Sequence, residues 1–520
     1  MMVTRYTDDT HVGAQTTPDS HTKRALRWAG PALAFAGLGG SFTQTILIPI
    51  QGELPELLGA SATSTAWAVT ITLLVAAVFT PISGRFGDMF GKRRVSLILI
   101  AVLIIGSAVC ALSNSVIPLI VGRGLQGVGV GVVAVGIAMV RDILPASRVG
   151  STAAMVSATI GVGAALGLPI SAFVAQHFDW HMLFWLSAAI SIGTFALVAW
   201  ALPTESPKTG GKVDWVGIVG MSAGLSGLLL CLSHGREWEW TSVRTMAVLG
   251  GSAAVLVLWV WHELRVRQPL VDVRVNTRRA VLLTNLASAA MGMAWFASQV
   301  AFPQLLQLPT AVGGVSLSLV EASLVLMPSG LAMLAMAPVA GRLERRSGPK
   351  PLLVAAAVLI AIAFCLALTM TMGQWTVLFI NVLIGVGIGM GYAAMPTLIL
   401  QSVPRSETGS ANGVNTLMRA VGAAVGAAVV GAVLAIEPAP GAADNRQHVS
   451  AAFDETFLFG LVAALLCGLF AAFIPARGPA AVSGTEVPGP SSRGRRFPRS
   501  RLIRHRGTAY PTNSPSRTSL

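Results

Sequence analysis

The chain has 520 residues, 53% of them hydrophobic and 11% charged, with a mean hydropathy of +0.70, whereas soluble domains carry about 25% charged residues. That balance excludes a soluble globular protein, a disulfide scaffold, a coiled coil and a disordered chain, and leaves a polytopic membrane protein. The formal net charge of +14 takes its meaning from where the basic residues fall between apolar runs.

A helix crossing about 30 Å of hydrocarbon needs about 20 apolar residues. Charge-poor runs predict fourteen spans, at about 29–50, 64–83, 95–113, 117–140, 151–174, 182–202, 214–233, 245–262, 281–306, 322–340, 352–372, 376–400, 411–435 and 456–474. Alternate loops are basic: the amino-terminal tail (Lys23, Arg24, Arg27), the loop with Arg85 and Lys92 to Arg94, and those bearing Arg141 and Arg148, Lys208 and Lys212, Arg265 to Arg279, Arg342 to Lys350, and Arg405. Basic loops stay cytoplasmic, so both termini are expected on the cytoplasmic side of a cell membrane. The polar first 27 residues and the length of the first apolar run argue against a secretory signal. Cys110, Cys231, Cys365 and Cys467 lie inside spans and read as small buried hydrophobes. His177, His181, His234 and His262 lie at span ends, where solvated histidine is the ordinary case. The Arg-, Ser- and Pro-rich stretch from 477 to 520 reads as a disordered tail whose partner is anionic lipid headgroups rather than nucleic acid.

The sequence is internally duplicated. PISGRFGDMFGKR (Pro81 to Arg93) aligns with PVAGRLERRSGPK (Pro338 to Lys350) at an offset of 257, and GSTAAMVSATIGVGAALG (Gly150 to Gly167) aligns with GSANGVNTLMRAVGAAVG (Gly409 to Gly426) at 259. Pro49 and Pro55 likewise match Pro303 and Pro309. The reading is two parallel repeats, spans 1 to 6 and 9 to 14, with spans 7 and 8 inserted between them. The expected organisation is a tail at 1–27, a six-helix bundle at 28–203, the inserted pair with its linkers at 204–279, a second bundle at 280–475 and the basic tail at 476–520. Two such halves can tilt about a cavity near the midplane, which is alternating access.

GRFGDMFGKRR, from Gly84 to Arg94, contains two glycines suited to tight turning, an acid that can accept from backbone amides, and a basic cluster that anchors the loop. It resembles the loop signature of the major facilitator superfamily. The resemblance implies the superfamily's all-α fold, two six-helix bundles, here with two extra central helices. It also implies that Gly84, Asp88, Gly91, Lys92 and Arg93 latch the halves together, with Met89 standing where many members are basic. RGLQGVGVG (Arg123 to Gly131) is similar to the fourth-helix signature of proton-driven exporters, which implies a role for Arg123 in proton coupling; an alternative is a structural arginine bonded to carbonyls. Gln126, on the same helical face, is a candidate substrate contact, and Gly127, Gly129 and Gly131 suit close helix packing. GVGAALGLPISA (Gly161 to Ala172) is similar in part to the antiporter motif of the fifth helix, keeping Gly163, Gly167 and Pro169.

The branch most resembled is the fourteen-helix drug/proton antiporters of the multidrug-efflux type, over about residues 28–475. Many of these carry an Asp two residues before a Thr in the first helix, where this chain has Ser41-Phe42-Thr43. No carboxylate falls at a predicted midplane: Glu53, Glu56, Glu263 and Glu321 all lie at span ends. Arg123 with Glu53 or Glu321, through water, is therefore the expected proton-handling set. Arg419, inside span 13, either snorkels toward the cytoplasm or lines the cavity. Gln44, Asn285, Trp295, Gln299, Asn381 and Tyr392 sit on spans that line the cavity in the family and suit a bulky amphipathic guest.

No phosphate-binding G-x-x-x-x-G-K-[ST] loop occurs, and no metal-ligand or catalytic-triad cluster stands in the spans. The expectation is a secondary transporter, not an enzyme and without a cofactor. It exports small, mostly hydrophobic drug- or antibiotic-like compounds in exchange for protons. The alternatives are an importer or uniporter of a small metabolite on the same fold and, less favoured, a membrane sensor.

Overall fold

A computed structural model describes residues 20–47, 50–51, 53–203, 208–235, 237–434 and 445–475. The helices in chain order are α1 (Ser20–Thr45), α2 (Leu54–Leu57), α3 (Ala62–Phe90), α4 (Lys92–Ala111), α5 (Val116–Gly129), α6 (Val132–Ile143), α7 (Ala146–His177), α8 (His181–Ala201), α9 (Trp215–His234), α10 (Val243–Glu263), α11 (Val273–Asn276), α12 (Arg279–Gln307), α13 (Leu319–Ser347), α14 (Pro349–Thr369), α15 (Gln374–Ser402), α16 (Thr408–Leu434) and α17 (Asn445–Ala472). No strand occurs among the described residues. Among the described residues thirteen segments are long and apolar enough to cross a membrane, α5 and α6 counting together; α1, which is not one of them, packs on α7 and α8 at the position expected for the first of fourteen spans. The tail at 476–520 and Pro49 lie outside the described residues.

The packing repeats as the duplication predicts. In the first half α1 packs on α7 and α8, and α4 on α5 and α8; in the second, α12 packs on α16 and α17, and α14 on α15 and α17. The halves meet chiefly through α3 with α16 and α7 with α13, which are repeat-related, since α3 corresponds to α13 and α7 to α16, and further through α7 with α15 and α6 with α16. The inserted α9 and α10 pack on each other, with α9 also against α3 and α16.

The fourth span is not one continuous helix. It tightens at Val130 and Gly131, whose amides donate to Gly127 O (3.3 Å) and Val128 O (3.2 Å) in three-residue turns. Neighbours approach closely here: a Cβ on Gly127 would lie 2.7 Å from Thr72 O, and one on Gly129 would lie 2.7 Å from Leu103 Cβ. These glycines therefore serve close helix approach, as expected.

Two expectations fail on burial. Cys110, Cys231 and Cys467 are buried, but Cys365 is exposed. It falls on the outward stripe Ala355, Val358, Ile362, Cys365 and Thr369 of α14, a helix whose other side is core. His234 is not solvated: it is buried and stacked between Trp67 (ring centroids 5.0 Å apart) and Trp238 (5.6 Å).

Candidate functional site: the half-to-half seam and an intramembrane arginine network

The basic end of the bundle closes around Asp88. Gly91, at φ 100°, adopts a backbone that L side chains rarely take, and so breaks α3 from α4. Asp88, in the last turn of α3, is thereby aimed at the first turn of α16, whose amides have no partner within their own helix. Asp88 Oδ2 accepts from Gly409 N (2.9 Å) and Ser410 N (3.0 Å). Lys92 lies 3.2 Å from Asp88 Oδ1 and donates to Asp142 Oδ2 at 2.7 Å. All three residues of this acid–base–acid chain are at least largely enclosed, so it falls in the class where losing one partner is costly. Gly84 lets the helices meet, since a Cβ there would lie 3.1 Å from Ser410 N. Arg93 does not cross the seam: it donates to Ala199 O at 2.8 Å within the first half. Met89 is buried and its carbonyl accepts from Gly210 N, while the Asp88 carbonyl accepts from Thr209 N at 2.9 Å. The segment before α9 is thus bonded to the end of α3, a contact the motif alone does not announce.

The repeat-related seam is built differently. Gly341, the counterpart of Gly84, meets Ser151 of α7, 2.7 Å from its Cβ to a Cβ on the glycine. Glu344 of α13 is enclosed beside Gly150 of α7 and the Thr397 hydroxyl of α15. Because α7 starts at Ala146, four residues before Gly150, the amide there is already used inside the helix. Glu344 therefore cannot cap α7 as Asp88 caps α16. Its place in the second copy of the loop motif is the signal that could have identified it.

Arg123 is completely buried in the first half. Its Nε donates to Ala68 O (3.0 Å), and Nη1 donates to Thr43 O (2.7 Å) and Gln126 Oε1 (2.9 Å). Gln126 Nε2 in turn donates to Ser107 Oγ at 2.9 Å. Gln126 is thus corrected from substrate contact to a fully buried link in the arginine's network, both ends of its amide being taken. Glu53 and Glu321 are not brought to Arg123. Glu53 is exposed beside α2, and Glu321 forms a capping box with Ser318 at the start of α13, accepting from Ser318 N at 2.9 Å. The short reach of that box holds the carboxylate at the helix end.

Gly163 and Gly167 pack α7 on α1 inside the first half: a Cβ on Gly163 would lie 2.7 Å from Leu38 O, and Gly167 faces Thr45. Pro169 is accommodated without ending α7, which runs on to His177. Ser171, where the motif has glycine, donates to Ile46 O, just past the end of α1, at 2.8 Å.

Between the halves lies a cavity walled by α7, α12, α13 and α15, and it contains three of the expected residues, Trp295, Gln299 and Asn381. Its free volume is about 30 Å³, enough for one or two waters and far below the ~300–1,000 Å³ of a drug-sized site. The seam is closed, and a guest enters only if the halves part. Tyr392 and Arg419 lie next to this cavity rather than on its wall: the Arg419 guanidinium rests 4.5 Å from the Tyr392 ring centroid, and that ring meets Trp295 edge-on at 6.0 Å. Arg419 does not snorkel, being 5% exposed. Asn285 is corrected from cavity residue to part of a buried amide cluster, bonded to Asn276 and accepting from Asn415 Nδ2 at 3.0 Å. Gln44 is half-buried on α1, away from the cavity wall.

A family model described as Major Facilitator Superfamily matches residues 33–427 and again 284–509. The MFS-type transporter Rv1877 of Mycobacterium tuberculosis strain H37Rv is 30% identical over 234 residues, 45% of this chain and 34% of that protein. The match thus spans about a third of that relative's length. The lincomycin resistance protein LmrB of Listeria monocytogenes is 26% identical over 451 residues, covering 84% of this chain and 94% of that one. Among solved structures, the proton:xylose symporter XylE bound to 6-bromo-6-deoxy-D-glucose superposes with a TM-score of 0.59 over 87% of this chain and 97% of that chain, at 16% identity, a likeness of fold. The duplicated helix packing and the family match together make this chain a member of the major facilitator superfamily.

Proposed function

We propose that the chain exports small, mostly hydrophobic compounds across the cell membrane by alternating access, in exchange for protons. The observation that carries the reading is the seam itself: a closed cavity shared by α7 of one half and α12, α13 and α15 of the other, with the Asp88 latch at one end. A relative named for lincomycin resistance supports export as the direction. In this reading the working units are the bundles at 28–203 and 280–475, and 204–279 is the inserted pair. The basic end, bearing Lys92, Arg141 and Arg405, is cytoplasmic by the positive-inside rule, and an even number of crossings then puts both termini there. Anionic headgroups are the partners of the basic tail. Of the three candidate proton-coupling residues, Arg123 alone is enclosed within a span.

The test is flux in everted vesicles carrying an internal pH indicator, with acidic, neutral and cationic amphipathic dyes added one at a time. Dye accumulation with release of vesicle protons is the expected result. Dye movement without any pH change removes the proton from the account, and no dye movement under any imposed gradient removes the exporter.

A further inference from the structure

Two arginines stand inside the spans, and neither has an anion beside it. The ion pairs among the described residues are Asp88–Lys92, Lys92–Asp142, Asp179–His181 and Asp214–His262. A guanidinium at mid-span is costly to insert, and the two arginines offset that cost unequally. Arg123 gives three hydrogen bonds to the bundle around it, leaving its Nη2 enclosed without an acceptor. Arg419 gives one, from Nη2 to Thr416 Oγ1 of its own helix at 3.2 Å, and its other stabilising contact is the face of Tyr392. Its Nη1 is enclosed with no acceptor.

That unused donor lies next to the closed cavity. Trp295 lines the cavity and touches Tyr392, and Tyr392 carries the guanidinium on its ring. Arg419 is eleven residues from the start of α16 at Thr408, a depth of about 16 Å at 1.5 Å per residue, near the middle of a ~30 Å bilayer core. No acidic residue lines the cavity, whose polar groups are neutral ones such as Gln299 and Asn381. A site with apolar walls, no carboxylate and a cation held behind one wall selects by charge. A cationic guest meets repulsion in a low-dielectric setting with nothing to balance it, while an anionic guest supplies the partner the guanidinium lacks.

We infer that the transported solute is an amphipathic organic anion: an apolar body carrying one carboxylate or comparable acidic group that pairs with Arg419 once the halves part. This rests on the reading of the seam cavity as the transport site and narrows it to a substrate class.

The test offers fluorescein, an apolar-bodied carboxylate, and ethidium, an apolar-bodied cation, first to the purified full-length protein in detergent, followed by fluorescence anisotropy, and then to everted vesicles. Fluorescein is expected to bind at least ten-fold more tightly than ethidium. Arg419→Gln is expected to erase that preference and Arg419→Lys to keep part of it, with melting temperatures recorded to show that both variants are folded. Ethidium binding as tightly as fluorescein overturns the inference, as does a fluorescein affinity unchanged in Arg419→Gln, or no fluorescein binding at all. If Arg419→Gln does not fold, the two-dye comparison on the unaltered protein decides alone. Fluorescein binding without vesicle transport upholds the charge assignment and removes the exporter reading; ethidium export without fluorescein binding does the reverse.

Discussion

Asp88 and Gly409 are 321 residues apart in sequence, and the carboxylate of the first accepts the backbone amide of the second at 2.9 Å, across the seam between the two halves. Asp88→Asn keeps one acceptor oxygen but loses the pairing with Lys92 and turns an amide donor toward other donors. Hydrogen bonds to charged groups contribute about 1.5–3 kcal/mol, equivalent to about a 10- to 150-fold change in the closed-to-open ratio. Dye flux in vesicles is expected to fall at least ten-fold, with a melting temperature within a few degrees of the unaltered protein. Flux within two-fold of normal would show that the seam does not depend on this contact.

Gly413 of α16 touches Pro81 of α3, where a Cβ would stand 2.6 Å from the proline Cα. The atoms such a Cβ would meet, Pro81 Cα and Thr80 O (3.0 Å), are backbone and do not yield cheaply. Gly413→Ala is expected to hold the basic end ajar, raising maleimide labelling of a cysteine placed at Ser410 and lowering flux about ten-fold. Gly250→Ala, on an open face of α10 with no atom within 4 Å, is the control and is expected to be neutral.

Arg123 satisfies two backbone carbonyls and Gln126 with one rigid fork of donors. Lysine cannot reproduce that fork. Arg123→Lys and Arg123→Met are both expected to lose about 2–4 kcal/mol of stability, since buried acceptors are left unpaired. Thermal melting in detergent is the readout, and a melting temperature unchanged in Arg123→Met would show that the network is dispensable for folding.

Glu321→Gln preserves the capping box with Ser318, because glutamine serves equally well at that position. If the proton travels elsewhere, pH-driven flux stays within two-fold of normal, and the same holds for the exposed Glu53→Gln. A loss of coupling in either variant would restore these carboxylates to the proton route.

Asp179, between α7 and α8, accepts from the His181 amide at 2.8 Å and contacts the His181 ring, and these hydrogen bonds hold its carboxyl below the usual carboxylate range. A lowered value in the fold means stabilisation that is present above the unfolded value of about 3.9 and fades as pH falls through the folded one. The group is exposed, so the effect is at most about 0.5 kcal/mol. Asp179→Asn is expected to remove that acid-side component from melting curves taken between about pH 6 and pH 3.

Span positions, the duplication and the latch were legible because they are written in local patterns: charge-free runs, fixed offsets, and glycine and proline at set spacings. Arg123 was legible because a charge inside a span needs a reason. What Arg123 bonds to was not, since Thr43 and Ala68 reach it from α1 and α3, and nothing in a single helix states who its neighbours are. Gln126 and Asn285 were misplaced for the same reason: polarity on a cavity-lining helix does not distinguish a group facing a guest from one already bonded to a neighbour. Glu321 is different. Ser318-Leu319-Val320-Glu321 is a capping-box pattern visible in the sequence, and its local bond explains why the carboxylate stays at the helix end.

The strap formed by Thr209 and Gly210 bears on how the two extra helices came to be tolerated. They bring the connecting segment to the last turn of α3, where its amides occupy the carbonyls of Asp88 and Met89, while on the far side of the pair Leu270 O accepts from Ser410 of α16. A shortened twelve-helix version of this chain, made by splicing α8 directly to α12, would strip hydrogen-bond partners from Asp88, Met89 and Ser410 at once. Excision of the pair is therefore expected to loosen the meeting of α3 and α16 before it damages insertion.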